Sequence, residues 1–179
     1  MSEIFVLLVP YLVLASHVLL IFLVLVVLGR NSWGKQIYEF INKNAFLIGF
    51  LIALGAMLGS LFYSEVIGFE ACVLCWWQRA FLYPLVLVFG AGFWYKKNWL
   101  FSLAAFLALA ALIVGGYQEI SNLTGASVLT CTDAEGACSK IFVKEFGYIT
   151  IPVMSVTVAL YVLVVVWIKK SAGWRIRKN

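Results

Sequence analysis

Charge is scarce in this chain. Only 12% of its 179 residues are Asp, Glu, Lys or Arg, about half the share that a soluble globular domain carries, and that shortage excludes a water-facing exterior. The long apolar runs lack period-two alternation, which excludes the strands of a membrane barrel. No basic patch interleaved with aromatics stands outside the helix-flanking loops, so the net charge of +5 reads as membrane topology and not as a nucleic-acid footprint. There is no Cys-x-x-Cys-His haem motif, because Trp76 follows Cys75. A dinucleotide fingerprint is missing too, as is any soluble domain to hold a flavin.

What the chain has instead is apolar sequence, 64% of its residues. Five runs, near 4–28, 45–63, 76–95, 99–117 and 148–168, can each cross about 30 Å of hydrocarbon, which takes about 20 helical residues. Lipid tolerates only helices or closed barrels. The expected fold class is therefore an all-α integral membrane protein, with one membrane domain across residues 1–179. Only Lys96, Lys97 and Asn98 separate the third and fourth runs, which requires a tight antiparallel hairpin. Gly55, Gly59 and Ser60 on the second run, and Gly90 and Gly92 on the third, are small residues that let helices approach closely. The first run has no basic segment before it and exceeds a signal-peptide core in length, so it is expected to be retained as a helix. Segment 29–44 reads as a basic loop.

Cytoplasmic loops hold the excess of Lys and Arg. With five spans, one side receives Arg30, Lys35, Lys43, Lys96, Lys97 and the five basic residues from Lys169 onward, while the other receives only Arg79, Lys140 and Lys144. That asymmetry places the N-terminus outside and the C-terminus in the cytoplasm. All four cysteines, Cys72, Cys75, Cys131 and Cys138, then share the outer side. The second outer loop, 119–147, carries Cys131 and Cys138. Within it, 139–146 reads as a helical turn or two in the interface plane, with Ser139 as cap and Phe142 and Phe146 on one face.

The cysteine spacing is Cys-x2-Cys, a long gap, then Cys-x6-Cys. Zinc prefers two tight knuckles, and an oxidising compartment favours disulfides over zinc thiolates, so no metal is expected. Inert structural bridges are the more serious alternative, since even cysteine counts in extracellular loops usually mean staples. Yet a Cys-x2-Cys bridge closes too small a loop to constrain the unfolded chain much, and such a pair is more useful as an exchangeable one. Arg79 falls one turn after Cys75, and a helix start together with a nearby cation favours a thiolate. The alternative for Arg79 is snorkelling to head groups. An electron acceptor with access to a dithiol at the lipid boundary is a lipid-soluble quinone, and a cation and helix dipole there would favour its reduced, anionic forms.

Cys72-Val73-Leu74-Cys75-Trp76-Trp77-Gln78-Arg79, followed by Tyr83-Pro84-Leu85-Val86-Leu87, closely resembles the active-site segment of the DsbB family, in particular its BdbC-like branch. Residues 55–65 and Phe146-Gly147-Tyr148-Ile149-Thr150-Ile151-Pro152 are similar to that branch too, so the resemblance runs over about 45–168. It implies a four-helix transmembrane bundle in the bacterial cytoplasmic (inner) membrane. It also implies a quinone-dependent protein disulfide oxidoreductase that reoxidises an extracytoplasmic DsbA-like thioredoxin-fold oxidase and passes the electrons to ubiquinone or menaquinone. By the same resemblance Cys72 and Cys75 are the quinone-side pair, with Cys75 the thiol that contacts the ring. Arg79 supports quinone binding, and Cys131 and Cys138 are the loop pair, with Cys131 receiving the partner. The helix at 4–28 precedes the family core and makes an extra N-terminal span. Rival readings are a vitamin-K-epoxide-reductase-like or outward-directed thiol reductase and a disulfide-stapled membrane scaffold.

Other polar residues have quieter expectations. His17, the one histidine, is expected to pair structurally with a polar group in the bundle. Glu65, Gln118 and Glu119 read as solvated helix ends. Trp76, Trp77, Trp94, Tyr95, Trp99 and Tyr117 fit aromatic belts, with Trp76 or Trp77 also available to stack on a quinone. Pro84 and Pro152 bend or begin a helix.

Overall fold

Inside hydrocarbon every backbone N–H and C=O must be satisfied within its own segment, and the apolar runs fold accordingly. The structure, a computed structural model, describes residues 2–29, 34–69, 71–124 and 148–176. Five of its helices are long and apolar enough to cross a membrane: α1 (Ser2–Leu28), α3 (Ala45–Leu61), α4 (Val73–Tyr95), α5 (Trp99–Thr124) and α6 (Ile151–Ile176). A π-helical turn, Phe62–Val66, prolongs α3. The remaining helix, α2 (Lys35–Lys43), was expected to be a basic loop and is not. Tyr38 and Ile41 are buried while Lys35, Gln36, Glu39 and Lys43 are exposed, the amphipathic spacing of a surface helix. Tyr38 donates from its hydroxyl to the Ile168 carbonyl at 3.1 Å and bonds Ser171 Oγ at 2.6 Å, while Lys169 Nζ donates to the Asn42 carbonyl. This short helix thus clamps the far end of α6.

α3, α4, α5 and α6 form a ring in which each packs on the next and α6 returns to α3; α1 lies outside the ring, against α6 and α2. The fold is thus a four-helix transmembrane bundle with one additional N-terminal helix. Lipid tails are as apolar as leucine, so these contacts rest on close packing. Ala104, Ala108, Ala111 and Gly115 form a buried seam along α5. A side chain at Gly115 would meet Val156 and Ser155 of α6 at about 3 Å. On the other side of the ring the Phe89 ring fills the space over Gly49 and the Phe46 ring that over Gly92, and Phe46 lies 4.4 Å from Phe101 between ring centroids. Gly92 therefore meets the close-approach expectation. Gly55 and Gly59 do not: a side chain at either would touch nothing within 4 Å, because both line a cavity.

The α4–α5 hairpin is as tight as its three-residue loop requires. Lys96 closes it in the left-handed region (φ 45°), with its N–H on the Gly92 carbonyl, the usual geometry of a helix terminus. Trp76, Trp77, Trp94, Tyr95 and Trp99 are all exposed at helix ends, as an interfacial aromatic belt would be.

Candidate functional site

The site is built where α4 begins. Cys72 takes the N-cap position in extended conformation, and its sulfur accepts from the Cys75 N–H at 3.3 Å, the task usually given to Ser, Thr, Asp or Asn. One turn of helix then sets Cys75 above it, and the two sulfurs lie 3.0 Å apart. Cys72 is buried and Cys75 half-buried. Cys72 and Cys75 thus stand side by side at a helix start as thiols.

Gln118 is the site residue that the sequence did not reveal. It was expected to be a solvated helix end. Instead it is 5% exposed, and its Nε2 points at both sulfurs, 3.5 Å from Cys72 and 3.7 Å from Cys75. Its Oε1 accepts from Gln78 Nε2 at 2.7 Å, which fixes which end of the amide faces the thiols. The only signal in the sequence is register: Gln118 continues the 104, 108, 111, 115 seam that faces the bundle interior. Glu119 is likewise not merely solvated, since it accepts from Thr150 Oγ1 at 2.6 Å, and that oxygen caps α6 by accepting from the Val153 N–H. Glu65 does match its expectation, being exposed and bonded only to its neighbour Ser64 among the described residues.

Arg79 lies on the same side of α4 as the cysteines but is anchored to α3. Its Nε donates to Ser60 Oγ at 3.0 Å and a terminal nitrogen donates to the Ser60 carbonyl at 3.3 Å; Tyr83 donates to the same Ser60 hydroxyl. The guanidinium also stacks over Trp76, 5.3 Å from the ring centroid, a cation–π contact. A charge at this depth needs partners, and Ser60 supplies them. Ser60 thus serves as a polar anchor as well as a small residue.

These groups open onto one cavity of about 320 Å³ enclosed by α1, α3, α4, α5 and α6, at the lower end of the size of small-molecule sites. Gly55 and Gly59 form its α3 floor, and Cys72, Cys75, Gln118 and Arg79 stand in its wall. Tyr63, one turn beyond Gly59, also lines it; Tyr63 is 7% exposed and its hydroxyl is the one buried side-chain polar atom without a partner among the described residues. An unpaired buried hydroxyl is costly, about 1–3 kcal/mol, unless a ligand oxygen receives it. A flat, largely apolar ring with carbonyl oxygens fits this donor set. His17 lies just outside, with Nε2 2.9 Å from Thr157 Oγ1 and Nδ1 3.4 Å from the Tyr148 hydroxyl, the polar pairing expected of it. Cys131, Cys138 and residues 139–146 lie outside the described residues.

The family model of the disulfide bond formation protein DsbB matches residues 42–168, the ring α3–α6 together with the connection from α5 to α6. The chain is 38% identical over 113 residues to the SPbeta prophage-derived disulfide bond formation protein B of Bacillus subtilis, covering 63% of this chain and 76% of that protein. It is 34% identical over 134 residues to the probable disulfide formation protein C 2 of Bacillus cereus, covering 74% and 96% respectively. Identity to the disulfide bond formation protein C of Bacillus subtilis is 31% over 135 residues, 73% of this chain and 96% of that one. No solved structure matches the chain significantly. A matched segment that takes in α3, α4, α5, most of α6 and the Cys72–Cys75 helix start identifies the chain as a member of the DsbB family.

Proposed function

We propose that this protein reoxidises an extracytoplasmic DsbA-like thioredoxin-fold oxidase and passes the electrons to membrane quinone. Family membership makes it a membrane disulfide oxidoreductase. The observation that carries the finer reading is a Cys72–Cys75 pair standing in the wall of a cavity shaped by transmembrane helices, with Arg79 and an unpartnered Tyr63 hydroxyl beside it. Arg79 and Tyr63 would hold the oxygens of a quinone, and Cys75, the less buried of the two thiols, would be the one to donate to it. Bound quinone supplies a sink for two electrons and two protons.

The chain's own residues do the rest. A thiolate of the reduced partner attacks Cys131 of a Cys131–Cys138 disulfide, forming a mixed disulfide and releasing Cys138. The partner's second thiol then displaces Cys131, so the partner leaves oxidised and the loop pair is reduced. A second exchange moves that electron pair to Cys72–Cys75, which is reduced as the loop disulfide re-forms. Gln118 and the Cys75 N–H stabilise negative charge on the Cys72 and Cys75 sulfurs during the second exchange. About 30 mV corresponds to about 1.4 kcal/mol in such a step, so quinone reduction drives the relay even between nearly balanced disulfides. The basic residues gathered at the opposite end of the bundle support an outside N-terminus, a cytoplasmic C-terminus and outward-facing cysteines, and the Bacillus relatives support the cytoplasmic membrane of a bacterium.

The test is direct. Purified protein is supplied with a reduced thioredoxin-fold oxidase and with ubiquinone or menaquinone, and quinone absorbance is followed. Reduction that depends on both the oxidase and Cys75 is expected; no reduction with either quinone defeats the reading.

A further inference from the structure

α1 precedes the segment matched by the family model, and the structure gives it a part in the site. One side of this helix is bare: Val18, Leu19, Ile21 and Phe22 are exposed, as befits a helix meeting lipid. One stripe is not. Pro10 is fully buried, and Val9, Val13 and Ser16, at helical spacing, line the same cavity as Cys75 and Arg79. Two polar contacts on that stripe fix the register of α1 against α6. The Ser16 carbonyl accepts from the Tyr161 hydroxyl, and His17 pairs with Thr157, itself buried and in the cavity wall. In hydrocarbon such bonds have no water to compete with them, so they hold the helix at one depth and one rotation.

We infer that α1 is a wall of the acceptor site, with Val13 and Ser16 in contact with the bound quinone. The inference rests on the quinone reading and sharpens it. The four-helix ring alone leaves the cavity short of one side, and α1 supplies that side in place of lipid. Quinone binding is then tighter and exchange with the bilayer slower than the ring alone would allow, because apolar contact and enclosure both grow. The His17–Thr157 pair is a clamp that keeps Val13 facing inward and takes no part in electron transfer.

The experiment is a binding measurement on the full-length protein in detergent, by quenching of intrinsic tryptophan fluorescence on titration with ubiquinone and menaquinone carrying one isoprene unit. Val13→Phe, which fills the cavity from the α1 side, is expected to weaken binding at least 10-fold. Leu19→Phe, on the exposed side of the same helix, is expected to bind as the wild type does. His17→Ala is expected to weaken binding several-fold and to lower the amount of quinone that co-purifies. If Val13→Phe and His17→Ala both bind as the wild type while the wild type binds quinone, the wall is refuted and the quinone reading stands. If the wild type binds neither quinone, the quinone reading fails and takes this inference with it. A Val13→Phe protein with weakened binding but an unchanged melting temperature excludes misfolding as the cause.

Discussion

At the residue scale, Gln118 supports the two sulfurs without carrying a charge. It turns its neutral amide NH2 toward two sulfurs while Gln78 holds its other end, so it favours the reduced, charge-bearing form without adding a charge to an apolar wall. Gln118→Leu is expected to remove that stabilisation and leave the Gln78 amide unpaired, which costs about 1–3 kcal/mol. Because the donor favours the thiolate form, its loss makes the Cys72–Cys75 pair harder to reduce. A tenfold change in that equilibrium moves the potential by about 30 mV to more negative values, and equilibration in glutathione buffers measures it. An unchanged potential would mean that Gln118 only packs. Arg79 acts by geometry as much as by charge: its two bonds to Ser60 and its stack on Trp76 use the planar fork of guanidinium. Arg79→Lys keeps the charge yet is expected to lose about tenfold in quinone affinity, read from fluorescence quenching. Equal affinity would show that charge alone suffices.

At the scale of elements, the glycines divide by what lies opposite them. Gly115 faces α6 so closely that a side chain would meet Val156 and Ser155, whereas Gly55 faces open cavity. Gly115→Leu is expected to destabilise the bundle by about 1–3 kcal/mol through overpacking, seen as a lower melting temperature in detergent. Gly55→Leu is expected to leave the melting temperature nearly unchanged and to displace quinone. A common effect of both on stability would contradict the division. This division was invisible in the sequence, where all the small residues of the spans read alike, since composition gives no rotation about a helix axis. The spans themselves, the hairpin at Lys96 and the paired Cys72 and Cys75 were legible, because length, apolarity and spacing fix them. α2 was missed because its mostly polar, lysine-bearing surface masked the Tyr38 and Ile41 stripe that it buries. Gln118 was missed because a polar residue near a helix end has water as its default partner, and only the α5 seam turns it inward.

At the scale of the whole molecule, what matters is which end of the bundle the chain returns to. α5 ends at Thr124 and α6 begins at Ile151. Gln118 near the close of α5 touches Cys72, while Asn122 and Thr150 line the cavity that contains it. The connection bearing Cys131 and Cys138 therefore leaves and re-enters at the Cys72 end. Cys131 is seven residues beyond Thr124, a reach of about 25 Å when extended, which is ample for exchange with a helix-end disulfide in the same layer. That connectivity suits the proposed relay, in which the loop pair meets the soluble partner and the helix pair meets the acceptor. A thioredoxin-fold oxidase that keeps only its attacking cysteine cannot resolve the mixed disulfide it forms, so incubation with the oxidised protein should trap a covalent adduct on a non-reducing gel. Mass spectrometry of the digested adduct is expected to locate the linkage at Cys131, and Cys131→Ser is expected to abolish it while leaving quinone binding intact. A linkage found at Cys72 or Cys75 in the wild-type protein would reverse the order and make the helix pair the partner's direct target.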